Sequence, residues 1–345
     1  MSVSKAEFAW AGGDTPGALD FGHAVPAEIE GALLCALREH LGRGLHSDAV
    51  LRALGGVDGV AGRYRLATSG GAWFVRVSSR WGCPPLERAI VSYLVRGGVS
   101  VCPVKVCGAA IRWEDRRYRL DVRPFVKGTH FDGSDADLRR AAQTLAECHS
   151  ALAAFPQSDE VRASAAERNR RLSVVAEAIG ASASSGDFSI FEERSDWAER
   201  NADWLSRLAA RLDTRTDLRS GAQCVHGELH RANVMFNAAS EAVLIDFEES
   251  PFLFAPVTWD IAFFFQRFCL WDKPLLDVAR HRLNVVAESY GAPLPRLAPD
   301  MSQIAWYTLA SIVEARLSSG VVTPEAEYDK FVMLQRQAES YEGVL

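Results

Sequence analysis

Residues 223–250 read Gln-Cys-Val-His-Gly-Glu-Leu-His-Arg-Ala-Asn-Val-Met-Phe-Asn-Ala-Ala-Ser-Glu-Ala-Val-Leu-Ile-Asp-Phe-Glu-Glu-Ser. Two short apolar runs, 234–236 and 242–245, flank a polar turn, which is a hairpin signal. A polar loop carrying His226, Glu228, His230 and Asn233 leads into the first run. Asp246 and Glu248 follow the second. A hairpin brings both polar groups to one end. An acid five residues before an Asn, then a strand pair ending in Asp, suits phosphoryl transfer. One carboxylate orients the attacking hydroxyl, while an amide oxygen and a second carboxylate hold Mg²⁺.

Blander readings exist for each piece. His226, Glu228 and His230 alternate, so they also suit metal ligands on one strand face, as in a cupin-like barrel. Their surroundings read helical, which argues against a barrel. Asp246 by itself is a strand end and Asn233 by itself a turn residue. Their joint spacing is what carries information.

That joint pattern, 226–233 followed by Ile245-Asp246-Phe247-Glu248, resembles the signature of the aminoglycoside phosphotransferase and choline kinase-like family. These are small-molecule kinases similar in fold to protein kinases. The likeness in order of features runs from about residue 45 onward. The resemblance implies that Glu228 stands where the family carries its catalytic Asp. It further implies that His226 orients the catalytic loop, and that Asn233 and Asp246 bind Mg²⁺. Glu248 is expected on the same side as Asp246, two residues on along an extended strand, where it tunes the metal site.

Composition is ordinary. The chain has 345 residues, 48% hydrophobic and 24% charged, with net charge −6. That length suits two lobes, and the charge gives no support to nucleic-acid binding. The seven cysteines are scattered without a C-x-x-C pair, which suits reduced thiols in a cytoplasmic protein. No signal-peptide pattern is expected at the N-terminus. The most apolar run, 251–270, is broken by Asp260, Gln266 and Arg267 and does not suit a membrane span.

Taken in order, residues 1–25 suggest an irregular arm, and 26–41 a helix with Ile29, Leu33, Leu37 and Leu41 along one face. Two strands are expected within 49–68, around a glycine loop containing Gly56 and Gly59. Glycines let backbone N–H groups approach phosphate, although an ordinary hairpin turn has the same composition. A strand at 72–77 follows, then a helix at 84–97. The resemblance implies that Arg76 grips nucleotide phosphates and that Glu87 pairs with it. Strands are expected at 99–106, 109–113 and 117–126. The last leads into a segment, 123–127, that matches the family's adenine-reading hinge and includes Arg123 and Phe125.

The remainder reads helical: 136–153, 159–179, 191–212, 275–290, 303–317 and 325–341. Residues 180–187, rich in Ser and Ala, are expected as an exposed loop. His149 is expected as a buried structural histidine. Glu192, Glu193, Asp196 and Glu199 suit a solvated helix face better than a cationic acceptor site. Residues 255–262 resemble a further segment of the family, which implies that Asp260 begins a helix and buttresses the catalytic loop; a carboxylate at a helix N-terminus is favoured in any case.

The expected fold is therefore α+β and bilobal, protein kinase-like, with a small antiparallel-sheet N-lobe and a mostly helical C-lobe. Residues 1–44 form an arm and helix, 45–126 the nucleotide-binding N-lobe, and 127–345 the C-lobe with catalytic loop and acceptor site. The resemblance implies transfer of the γ-phosphoryl of ATP, with Mg²⁺, to a hydroxyl of a small molecule: an aminoglycoside-, homoserine- or choline-like alcohol. The Glu at position 228 keeps open a nucleotide-binding pseudokinase or sensor, and the shared fold keeps open a bacterial stress-type protein kinase, which no substrate-groove feature in the sequence excludes. Neither nucleic acid nor membrane is expected as a partner, and the oligomeric state is unknown.

Overall fold

The computed structural model describes residues 23–42, 45, 49–55, 59–80, 82–294, 296–320 and 323–343. The expected arm at 1–22 lies outside them. The described residues fall into two compact units. The first runs to His130 and includes Met235–Glu248. The second comprises Phe131–Val234 and the residues from Glu249 on.

Strand alternation organises the first unit. Strands β1 (His23–Ala24), β2 (Val50–Ala53), β3 (Gly62–Thr68), β4 (Gly71–Ser78), β5 (Val106–Trp113) and β6 (Arg116–Pro124) make an antiparallel sheet in the order β1-β2-β3-β4-β6-β5. In β4 and β6, Val75 lies opposite Val122 and Val77 opposite Leu120. Successive side chains take opposite faces, so these four share one apolar face. They join Tyr64, Leu66 and, from helix α1 (Ala27–Leu41), Ile29, Leu33 and Leu37 in one buried cluster. Each fully buried Leu contributes roughly 1.5–3 kcal/mol of transfer free energy. The residues between them, Arg76 opposite Asp121 and Phe74 opposite Arg123, fall on the other face.

The expected hairpin forms. Strands β9 (Val234–Asn237) and β10 (Ala242–Leu244) join β7 (Gly128–Thr129) in a small sheet ordered β10-β9-β7. Asn237 closes the turn, its side-chain oxygen accepting from the N–H groups of Ala239 (2.9 Å) and Glu241 (3.0 Å). Leu244 is tied to the segment before β5: its N–H donates to Ser100, and its carbonyl accepts from Cys102.

The second unit is mostly helical. It contains α3 (Asp135–Leu152), α4 (Ser158–Ser185), α5 (Ser195–Arg200), α6 (Ala202–Arg211), α7 (Thr258–Phe264), α8 (Leu276–Tyr290), α9 (Ala298–Ser319) and α10 (Glu325–Ser340). One antiparallel strand pair, β8 (Ala222–Cys224) with β11 (Phe254–Pro256), brackets the loop sequence 226–233. No helix among the described residues is long and apolar enough to cross a membrane.

Three local expectations are corrected. Residues 99–105 are not a regular strand; only Val101 bridges to Leu244, and Pro103 lacks the N–H that a ladder needs. The stretch 180–187 is not a loop at its start, because α4 continues to Ser185. Alanine favours the helix, and the serines return hydrogen bonds to their own turn, Ser184 Oγ to Gly180 O (2.8 Å) and Ser185 Oγ to Ser182 O (3.3 Å). The helix expected at 191–212 is broken twice. Residues Ser189–Arg194 form a 3-10 turn with Glu192 at φ 46°. Asn201 separates α5 from α6, its side chain donating to Trp197 O at 2.8 Å.

Gly128 is sterically required where β7 meets β9. A Cβ there would lie 2.1 Å from the Phe236 carbonyl oxygen. Gly128→Ala is expected to lower stability by about 1–3 kcal/mol, read as a fall in the urea midpoint at constant m-value. An unchanged midpoint would refute the close approach.

Candidate active site

The charged face of the sheet sorts its ions into alternating order. On β6, Arg119, Asp121 and Arg123 are spaced by two and share a face, and all three are buried. Above them α2 (Pro84–Arg96) places Glu87, which has no exposed surface. One Glu87 oxygen accepts from Arg123 Nη2 at 2.6 Å; the other accepts from Arg119. Arg119 Nε reaches Asp121 at 2.8 Å, and Asp121 also accepts from Gly108 N at 2.8 Å. Arg123 Nη2 lies 4.0 Å from Asp246 Oδ1. Arg76 then bonds Asp246 (3.1 Å) and Glu248 (2.6 Å).

This corrects the expected Arg76–Glu87 pair. Glu87 is taken by the two arginines of β6, and Arg76, one strand over on β4, is taken by the carboxylates after β10. Burial pulls the Arg76 guanidinium down, but Asp246 and Glu248 outweigh it and hold it above its ordinary value. Arg123 is shifted up in the same way, against burial, by Asp246 and Glu87. Its side chain is thus part of the ion network. Phe125 has its N–H bonded to Ala72 O at 2.9 Å, and its ring lies under the Arg65 guanidinium at 5.3 Å.

Glu248 is also reached differently from expectation. The strand ends at Leu244, and Asp246 takes φ 63°. That left-handed conformation costs a non-glycine residue about 1–2 kcal/mol, and it turns the chain so that both carboxylates meet one guanidinium. Gly59 lies in a turn before β3 with φ 56°; Gly56 lies outside the described residues.

In the helical unit the loop 226–233 hangs on Asp260. This residue sits in the first turn of α7, fully buried. Its two oxygens accept from His226 N (2.7 Å) and Gly227 N (2.9 Å). His149, also buried, approaches Asp260 through Nε2 at 3.1 Å and Tyr290 Oη through Nδ1 at 2.8 Å. A carboxylate only accepts, so Nε2 carries the proton. Burial pushes the Asp260 carboxyl up, but the His149 hydrogen bond, the neighbouring His149 and His226 rings and the Gly227 N–H hold it below its ordinary value. Asp260 and His149 therefore occupy the buttressing and structural roles anticipated for them.

Gly227 has φ 91°, and a Cβ there would lie 3.2 Å from Glu249 Cβ. Glu249 is fixed in turn by Arg168, whose guanidinium lies over the Phe252 and Tyr307 rings. That buttress has no local sequence pattern, since its partners are 81 and 139 positions apart from Arg168 or join through packing alone. Asn233 is buried and donates Nδ2 to the Glu228 carbonyl at 2.8 Å, which closes the loop. Glu228 is half-exposed, with Oε1 3.6 Å from His230 Nε2. His226 is buried and its Nδ1 faces the Glu228 N–H at 3.4 Å, so the three do not converge as metal ligands. Among the described residues no group of three or more His, Cys, Asp or Glu is arranged to hold a metal.

Residues 56–294, well over half of the chain, match the Phosphotransferase enzyme family. The chain belongs to that family. No curated protein sequence matches it. Solved structures of similar fold include a spectinomycin phosphotransferase in complex with ADP and spectinomycin, at 15% identity and TM-score 0.60, covering 91% of this chain and 98% of that one. A choline kinase from Streptococcus pneumoniae is similar at 14% identity and TM-score 0.58, over 91% of this chain and 100% of that one. An ethanolamine kinase from Plasmodium vivax follows at 12% identity and TM-score 0.56, over 90% and 89%. The phosphotransferase-family chain thus has the kinase-like fold, an antiparallel-sheet part followed by a mostly helical part.

The lowered Asp260 carboxyl gives this phosphotransferase-family protein a testable pH dependence. A depressed folded-state value stabilises above the unfolded value, about 3.9, and the contribution disappears as pH falls through the folded value. Asp260→Asn is expected to be less stable at pH 7 and to show a shallower acid limb below about pH 4. Urea midpoints of both proteins from pH 7 to pH 2 check this; parallel acid limbs would remove Asp260 from the titration.

Proposed function

We propose that the protein is an enzyme that moves the γ-phosphoryl group of MgATP to a hydroxyl of a small molecule. The observation that carries this reading is the build of the loop 226–233. A half-exposed carboxylate, Glu228, sits on a backbone pinned by Asp260 at one end and by Asn233 at the other. Such pinning holds a group where a bound hydroxyl must be oriented. In the sheet unit, Arg76 is the cation for nucleotide phosphates. Asp246 and Glu248 in the sheet unit, and separately the Asn233 amide in the helical unit, are hard oxygen donors of the kind Mg²⁺ takes when substrate phosphates and water complete its shell. Mg²⁺ held by such donors would supply charge neutralisation for the transferring phosphoryl group. Nucleotide use in the ADP-bound relative's fold supports ATP as donor. The cysteines are free thiols, which supports a reducing, cytoplasmic setting.

Glu228 differs from Asp little in basicity, about 4.3 against 3.9, but by one methylene in reach. A displacement of about 1 Å costs roughly a hundredfold in rate, so an active enzyme must hold its acceptor to suit the longer side chain.

Calorimetric titration with ATP and Mg²⁺, and ATP turnover against a library of alcohols, test the function. Absence of both nucleotide binding and turnover would refute it. Glu228→Gln is expected to lower kcat by about 10²–10⁴-fold while nucleotide affinity and folding persist. Glu228→Asp is expected to lower activity as well, because it opens a gap to the acceptor. A gain of phosphotransfer in Glu228→Asp would instead mark a decayed site and favour the pseudokinase reading.

A further inference from the structure

The turn between α7 and α8 is clamped from several sides. A π-helical turn, Phe265–Cys269, leads from α7 into Leu270-Trp271-Asp272-Lys273-Pro274. Lys273 takes φ 52°, a left-handed conformation that a non-glycine residue keeps only where its surroundings over-determine it. Here they do. Arg282, on α8, grips Asp272 with both Nη atoms, at 2.6 and 2.9 Å, and donates to the Cys269 carbonyl at 2.7 Å. Gln337, on α10, donates to Leu270 O at 2.6 Å, and Tyr341, just past α10, donates to Pro274 O at 2.5 Å.

This rigid turn presents Trp271. Its ring packs beside Gly133, where a Cβ would stand 4.0 Å from Cζ2, and the Arg231 guanidinium lies 4.4 Å from a ring centroid of Trp271. The indole Nε1 is buried and, among the described residues, has no hydrogen-bond partner. The ring therefore acts through its face, and indole offers a cation the best face of any aromatic side chain. Burial works against the Arg231 charge, and Asp272, next to Trp271 in the chain, works for it. One turn thus supplies both the ring and the nearby carboxylate.

Arg231 opens the 3-10 turn Arg231–Asn233. The Glu228 carbonyl accepts from Asn233 Nδ2 at 2.8 Å and from His230 N at 3.0 Å, and Asn233 N closes on His230 O at 2.9 Å. These bonds are internal to the loop, so they shape its far end without tying it to the helices. Asp260 ties the near end, at His226 and Gly227. The Arg231–Trp271 stack ties the far end.

We propose that Trp271 is a positioning residue for Glu228: from a turn clamped by α8 and α10 it holds Arg231, and with it the 3-10 turn that bonds the Glu228 carbonyl. This rests on the phosphotransferase reading for what Glu228 does, whereas the anchoring of the loop stands on its own contacts.

Amide hydrogen exchange of the full-length protein, without nucleotide or acceptor, is the first test. Trp271→Leu is expected to speed exchange in peptides covering 226–236 by on the order of tenfold, with α3 and α4 exchanging as in the parent protein. Trp271→Phe keeps a ring face and is expected to preserve most of the protection. Arg231→Gln leaves the ring in place and is expected to match Trp271→Leu. The double variant is expected to go no further, as for two partners of one contact. Should Trp271→Leu loosen the whole helical unit, Arg231→Gln decides alone. Unchanged loop exchange in Arg231→Gln, equal losses in Trp271→Phe and Trp271→Leu, or strictly additive effects would overturn the proposal. With MgATP and an alcohol that the protein phosphorylates, Trp271→Leu and Arg231→Gln are expected to lower kcat about tenfold at unchanged KM for ATP, and Trp271→Phe to retain most of it. A loosened loop in a protein that turns over no ATP refutes the kinase function and leaves the anchor. Turnover indifferent to Trp271→Leu and Arg231→Gln refutes the positioning of Glu228 and leaves the kinase function.

Discussion

The sheet unit depends on pairing every charge it buries. Glu87, Arg119, Asp121 and Arg123 are all removed from solvent, and an unpaired ion there costs several kcal/mol. The alternating order of acid and base along Glu248, Arg76, Asp246, Arg123, Glu87, Arg119 and Asp121 meets that requirement. It also dictates where the functional groups stand. Arg76 is aimed by the two carboxylates after β10, and these carboxylates are gathered by Arg76. The left-handed Asp246 persists because the network over-determines its position.

The helical unit meets a similar requirement with hydrogen bonds to one buried carboxylate. Asp260 is buried at the start of α7 and satisfied by two backbone N–H groups and by His149. A loop carrying a carboxylate such as Glu228 has no regular ladder to hold it. Its rigidity therefore comes from side chains: Asp260 below, Asn233 across, and the Arg168–Glu249 pair against Gly227. Such supports let a half-exposed group keep a fixed direction.

Arginines serve different ends in this fold. Arg123 and Arg119 are consumed by internal carboxylates, so their role is architectural. Among the described residues Arg267 and Arg231 form no carboxylate ion pair and stack instead on the Phe263 and Trp271 rings, with Glu228 and Glu327 acting on Arg267 and Asp272 on Arg231 at longer range. Composition does not separate these cases, because each is simply an Arg in a mixed sequence. What separates them is which acids the fold brings near.

Local rules carried much of this from the sequence alone. The hairpin after Asn233, the helices at α1, α2 and α3, the strand around Arg76 and the opening of α7 at Asp260 all follow from period, turn residues and caps acting over a few positions. The joint His226–Asn233 and Asp246–Glu248 pattern was enough to point to the family. The sequence did not disclose that Glu87 pairs with β6 rather than with Arg76. An ion pair is a through-space choice among several arginines, and it is decided by strand order and helix placement. Nor did it disclose the turn at Asp246, where tertiary pairing overrides the extended preference of the preceding strand. The persistence of α4 through its Ser- and Ala-rich end was equally hidden, since the same residues suit loop and helix until packing selects one. The residue types of the candidate site were written in the chain. The partners that aim and support them, from 34 positions apart for Asp260 and His226 to 172 for Arg76 and Glu248, were set only when distant segments were folded together, because burial makes each charge find the nearest opposite one in space and not in sequence.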